Sequence, residues 1–75
     1  MHFKKKYLLK YIKENNITID KFCKIYDIKK INIFVLFNDA IEWSNPLKME
    51  SFIFVLPKIA KILNIELYKL IKWDI

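Results

Sequence analysis

The chain has 75 residues, enough for one small domain, with fourteen lysines against eight acids and a net charge of +6. It contains no glycine. That excludes glycine-rich phosphate loops, dinucleotide fingerprints and nucleophile elbows, since each needs backbone geometry that only glycine adopts cheaply.

Residues 4–14 carry Tyr7, Leu8, Tyr11 and Ile12 at helical spacing with lysines between them, the pattern of an amphipathic helix. Asn15 and Asn16 end it, because asparagine tolerates left-handed backbone where glycine is missing. Thr18 is a favourable N-cap, and Asp20 in the first turn suits the positive end of the helix dipole. The second helix runs to about Tyr26, with Phe22, Cys23 and Tyr26 on one face, and Asp27 takes the turn. A third segment starts near Lys29 and ends at Asn38 and Asp39. Residues 40–50 read as a loop, marked by Ser44, Asn45 and Pro46. Leu56, Ile59, Ala60 and Leu63 return to helical spacing, which places a helix over residues 54–63 with Pro57 in its first turn and Asn64 at its end. Residues 66–72 predict a short last helix with Leu67, Leu70 and Ile71 inward. One local alternative stands: residues 31–37 and 52–56 are rich in β-branched and aromatic side chains and could pair as a hairpin in an α+β fold, although the connection between them is long for a hairpin.

One cysteine, Cys23, cannot form an internal disulfide or a cysteine-based zinc site, and the one histidine, His2, lies at the chain start. Composition therefore points to a binding or interaction protein rather than an enzyme, with no metal and no cofactor. No apolar stretch approaches the ~20 residues of a membrane span. Lys10 and Lys13 interrupt any signal-peptide apolar region, so the expected location is the cytoplasm. Lysine, isoleucine and asparagine fill nearly half the chain and arginine is absent, the bias of an A/T-rich genome. The charge reads either as that bias plus solubility or as attraction to a polyanion, nucleic acid or an anionic membrane surface.

The spacing of these residues resembles a known family. Residues 8–18 (LLKYIKENNIT) look like the first helix and second-helix entry of the phage-repressor-like (Xre, lambda repressor-like) helix-turn-helix family. Phe22 and Cys23, Asp27 and Ile28 fall where that family has its Leu-Ala pair, turn glycine and following aliphatic residue. Ile33 and Leu36 fall on the inward positions of its recognition helix. Residues 56–70 (LPKIAKILNIELYKL) are similar to its fourth and fifth helices almost position by position. Asn16, Asp27, Asp39 and Asn64 stand at turn positions where the family commonly has glycine.

The resemblance implies an all-α, compact five-helix bundle forming a single domain over residues 1–75, with the helix-turn-helix unit at about residues 18–38. It implies a repressor-like transcriptional regulator whose third helix enters the major groove of duplex DNA, usually as a homodimer reading two half-sites. Thr18 opens the helix that would cross the DNA backbone. Helical phase puts Lys29, Lys30 and Asn32 on the outward side of the third helix, where Lys30 can reach guanine or a phosphate and the Asn32 amide can pair with adenine. Lys4, Lys5 and Lys6 could follow a phosphate backbone or enter a minor groove as an arm. Without arginine, such binding leans on phosphates, adenine and thymine methyls, which favours A/T-rich duplex.

The same phase puts Phe34, Val35 and Phe37 where a base-reading face is normally polar and wet. Three readings remain for them: an enlarged core under the following loop, a dimer or partner interface, or contact with thymine methyls. Trp43 is either a lid over the core or a partner anchor. The apolar face motivates a second function, a helix-turn-helix fold repurposed for protein contact as an antirepressor or partner-binding subunit. A third is peripheral membrane binding through the basic, aromatic first helix. Trp73 and Ile75 either pack back or join a dimer contact.

Overall fold

The computed structural model describes residues 1–73. It is predominantly helical, as expected, but it is built from four helices and a small two-stranded ribbon rather than five helices. The helices are α1 (Lys6–Glu14), α2 (Ile19–Tyr26), α3 (Lys30–Phe37) and a long α4 over residues 46–63. The ribbon pairs β1 (His2–Phe3) with β2 (Ile71–Lys72) in antiparallel fashion, His2 opposite Lys72 and Phe3 opposite Ile71.

Asparagine and aspartate supply most of the punctuation. Asn16, Asp27 and Asn64 all take left-handed backbone, with φ of 52°, 53° and 57°. Their short polar side chains make that region less costly than it is for other non-glycine residues. Asp39 does not follow this pattern. Instead α3 ends in extended backbone at Asn38, whose Oδ1 accepts the Ala40 N–H at 3.1 Å, an Asx-turn that needs no left-handed residue. Thr18 caps α2 as its sequence predicts, its Oγ1 accepting the Lys21 N–H at 3.1 Å.

The largest departure lies in residues 40–50. Their second half is helical, because Asn45 and Pro46 form an N-cap and first helical position rather than a turn. The Asn45 side chain accepts the Leu47 N–H at 3.0 Å, and Pro46 has no N–H to leave unpaired. α4 then runs through Pro46–Glu50, a π-helical stretch Ser51–Val55 and Leu56–Leu63. Pro57 therefore lies deep in a helix. The π turn accommodates it: the Leu56 N–H bonds Ser51 five residues back, and the widened turn relieves the clash of the Pro57 ring with the preceding turn. The α+β alternative does not occur, since residues 31–37 and 52–56 are both helical.

The expected last helix is also absent. After Asn64 the chain makes one 3-10 turn, Leu67–Leu70, and then enters β2. The Lys4 N–H donates to the Leu70 carbonyl at 2.7 Å, so the chain start supplies backbone partners that compete with a continued helix. Leu70 points inward as predicted and Ile71 is half-buried, whereas Leu67 is exposed.

The core is one cluster centred on Leu8, Phe22, Leu36, Leu56, Ile59 and Leu70, with Phe3 from the ribbon joining it. Phe22 lies edge-on to Tyr11 at 5.9 Å and tilted against Tyr26 at 4.9 Å. The two tyrosine hydroxyls hydrogen-bond each other at 2.7 Å above it. That bond, with desolvation added, pushes the Tyr11 hydroxyl above its ordinary pKa.

Candidate nucleic-acid interface

α2 and α3 are joined by three residues, Asp27, Ile28 and Lys29. The left-handed Asp27 reverses the chain, and both its N–H and that of Ile28 bond the Cys23 carbonyl. Ile28 then drops into the core, and extended backbone at Lys29 launches α3. Phe22, Cys23, Ile28, Ile33 and Leu36 are all buried, so the two helices share one apolar seam. Burial pushes the Cys23 thiol up in pKa, Asp20 adding to the shift and Lys30 opposing it, as suits an inert packed thiol.

The outward side of this unit is basic. Lys21, Lys24, Lys29 and Lys30 are exposed, and Lys58 reaches in from α4 to donate to the Asp27 carbonyl at 3.3 Å. Lys30 Nζ lies 2.8 Å from Asp20 Oδ1, tying the first turn of α3 to the first turn of α2. The hydrogen bond to Asp20 raises the Lys30 pKa, so this amine stays charged. Such an exposed pair adds little stability, but it fixes the direction of Lys30. An open cleft of roughly 560 Å³ lies along this seam, between Asp20, Lys24, Asp27 and Lys30. Thr18, at the entrance to α2, is exposed.

Several expected site residues lie elsewhere. Asn32 is only 2% exposed, and its Nδ2 donates to Ser51 Oγ at 2.9 Å. Ser51 Oγ in turn donates to the Leu47 carbonyl at 2.6 Å. Asn32 is therefore a buried polar strut between α3 and α4, not a base-reading side chain. Val35 is likewise 2% exposed, so it forms no interface with another chain. Both corrections share a cause: the first half of α4, which reads as a loop in the sequence, packs along α3 and covers a second side of it. Asn32→Ala is expected to cost about 1–3 kcal/mol, because Ser51 loses its buried donor. Urea unfolding measures that loss, and base preference in any duplex assay should not change.

Phe37 is half-buried and stacks on Phe3 at 5.7 Å, so it is an extension of the core rather than an interface residue. Phe34, at 57% exposure, stays outward beside Ile31 and Lys30. Trp43 packs against Phe52 at 4.8 Å, and the buried Lys48 amine sits 4.9 Å from its ring while donating to the Ile41 carbonyl. This is the lid arrangement; the indole shields a buried cation. Lys4, Lys5 and Lys6 are not a free arm, since β1 and the Lys4 backbone are tied to the chain end. Trp73 is exposed, and Ile75 lies outside the described residues. Among the described residues no group of histidine, cysteine and acidic side chains could hold a metal ion, and no helix is long and apolar enough to cross a membrane.

Sequence reasoning missed Ile31, Lys58 and Lys72. Ile31 carried a signal, its place one turn from Phe34 on the same side. Lys58 and Lys72 carried none, because long-range folding brings Lys58 to the α2–α3 turn and Lys72 to the paired ribbon. No protein-family model matches this chain, and no curated protein and no solved structure matches it either.

Proposed function

We propose that this chain is a DNA-binding domain of the helix-turn-helix type, a small repressor-like transcriptional regulator that acts as a homodimer on A/T-rich duplex in the cytoplasm. The observation that carries this reading is the α2–α3 unit. Its turn is a left-handed Asp27, its five inward positions are buried, and Lys29 and Lys30 stand exposed at the start of α3. A net charge of +6 supports it.

There is no catalytic step in this function. Lys29, Lys30 and the lysines of α2 neutralise phosphates and release condensed counterions. Ile31 and Phe34 are the apolar side chains available to thymine methyls. With Asn32 buried, adenine is not read through an amide, and sequence preference rests on methyl contacts, on Lys30 and on groove shape.

A second reading, protein contact through α3, draws on the exposure of Ile31 and Phe34. One experiment separates the two. Binding to A/T-rich duplex should weaken about a hundredfold between about 50 and about 200 mM salt if four lysines each meet a phosphate. A chain whose duplex affinity is absent or flat over that range, and which sediments as a dimer, would move the assignment to protein contact.

A further inference from the structure

A second group of lysines lies at the opposite end of α3 from Lys30. The β1–β2 pairing sets His2 across from Lys72, next to Lys4, Lys5 and Lys6 in the chain. These residues and Asp39 line an open cleft of roughly 500 Å³. Among the described residues Asp39 is the one carboxylate in that lining, and its Oδ1 lies 3.1 Å from His2 Nδ1. Among the described residues no carboxylate pairs with Lys4, Lys5, Lys6 or Lys72. Lys5 and Lys6 are held instead over aromatic rings, Lys5 Nζ at 5.8 Å from Phe37 and Lys6 Nζ at 5.2 Å from Tyr7. A ring face orients an ammonium without cancelling its charge. Four lysines, two of them oriented by ring faces, therefore line one cleft beside the ribbon.

The position of this cleft is specific. Lys30, Phe34 and Phe37 follow one another at i, i+4 and i+7, along one stripe of α3. Phe34 is exposed at its centre, and Lys5 stands over Phe37 at its far end. The eight residues of α3 span about 12 Å. A major groove is about 12 Å wide. Lys29 and Lys30 at one end of α3 and the ribbon cleft at the other are thus separated by about one groove width.

We propose that the cleft formed by Lys4, Lys5, Lys6 and Lys72 is a phosphodiester-binding site that grips the second strand of the duplex, so that both ends of α3 are clamped to the backbone. The proposal rests on the duplex-binding reading and adds to it a site on the paired chain ends. Nucleic acid is favoured over a membrane surface because the cleft adjoins the exposed stripe of α3.

The test compares wild type with the double variant Lys6→Gln/Lys72→Gln, both positions being exposed. Fluorescence titration of an A/T-rich duplex at a series of salt concentrations gives the slope of log affinity against log salt. The slope should fall by about 1.8 in the variant, about 0.9 for each lost phosphate contact. Lys6→Arg/Lys72→Arg should restore it, and a thermal melt of each variant should match wild type. Duplex binding with an unchanged slope in the glutamine variant overturns the cleft while leaving the α3 reading in place. No salt-dependent binding by wild type overturns both. Lysine-dependent sedimentation with phosphatidylglycerol vesicles, with the duplex slope unchanged, overturns the cleft as a nucleic-acid site in favour of a lipid surface.

Discussion

Lys30→Glu is expected to lower duplex affinity at least a hundredfold while leaving the domain folded. Lys30 opens α3 and is exposed, and its amine is directed by Asp20 at 2.8 Å. On the duplex-binding reading, the substitution removes one phosphate or guanine contact and places a new carboxylate at the helix start. It also sets two acids, the new one and Asp20, beside each other, which turns the local field from attractive to repulsive. The fold should tolerate this, because an exposed ion pair contributes little to stability. Binding measured by anisotropy, with circular dichroism as the control, distinguishes lost contact from lost structure. Full retention of affinity in a folded Lys30→Glu protein would falsify the placement of α3 in the groove. Lys30→Gln should show a smaller loss and a salt slope lower by about 0.9, the signature of a single phosphate contact.

Phe22→Ala should bring the domain close to unfolding. Phe22 is fully buried, touches Tyr11 and Tyr26, and lies on the seam that joins α2 to α3. Removing such a ring typically costs about 3–5 kcal/mol, from lost transfer energy and the cavity left behind. A chain of 75 residues has a total stability of about 4–11 kcal/mol. The loss is thus a large fraction of what holds the domain together. Urea unfolding followed by tryptophan fluorescence should show the midpoint collapse toward zero denaturant, with the slope unchanged if the denatured state is unaffected. Phe22→Leu keeps most of the volume and should cost less than about 1.5 kcal/mol. A midpoint close to wild type in Phe22→Ala would mean that Phe22 does not organise the core.

These two positions differ in how they could be found. Phe22 was legible at once: it lies on the apolar face of a short capped helix, and burying that face is what makes the helix stable. Thr18, Asp27 and Asn64 were legible for similar reasons, since capping and left-handed backbone are decided by a residue and its near neighbours. Lys30 was legible as an exposed helix start, but its pairing with Asp20 came from the angle between α2 and α3.

Asn32 and Val35 show where local reading stops. Their helix phase turns them away from Ile33 and Leu36, and a one-sided helix would leave them in solvent. α3 is instead covered on two sides, by the core and by the first half of α4. That half-helix was hidden because Asn45 and Pro46 mark a turn and a helix start with the same letters. The ribbon is a second such case. A two-residue strand has no periodicity to detect, and its partner lies nearly seventy residues away.

The sequence by itself determined that the chain is glycine-free and predominantly helical, where its first three helices begin and end, and that Phe22, Ile33, Leu36 and Leu56 face inward. Those features depend on propensity, capping and spacing, which act over a few residues. The tertiary structure decided which side of α3 remains open, that the basic chain start is a fixed ribbon, and that Lys72 joins Lys4, Lys5 and Lys6 around one cleft. Each depends on contacts between residues far apart in the chain, where hydrogen bonding and burial across elements outweigh local preference.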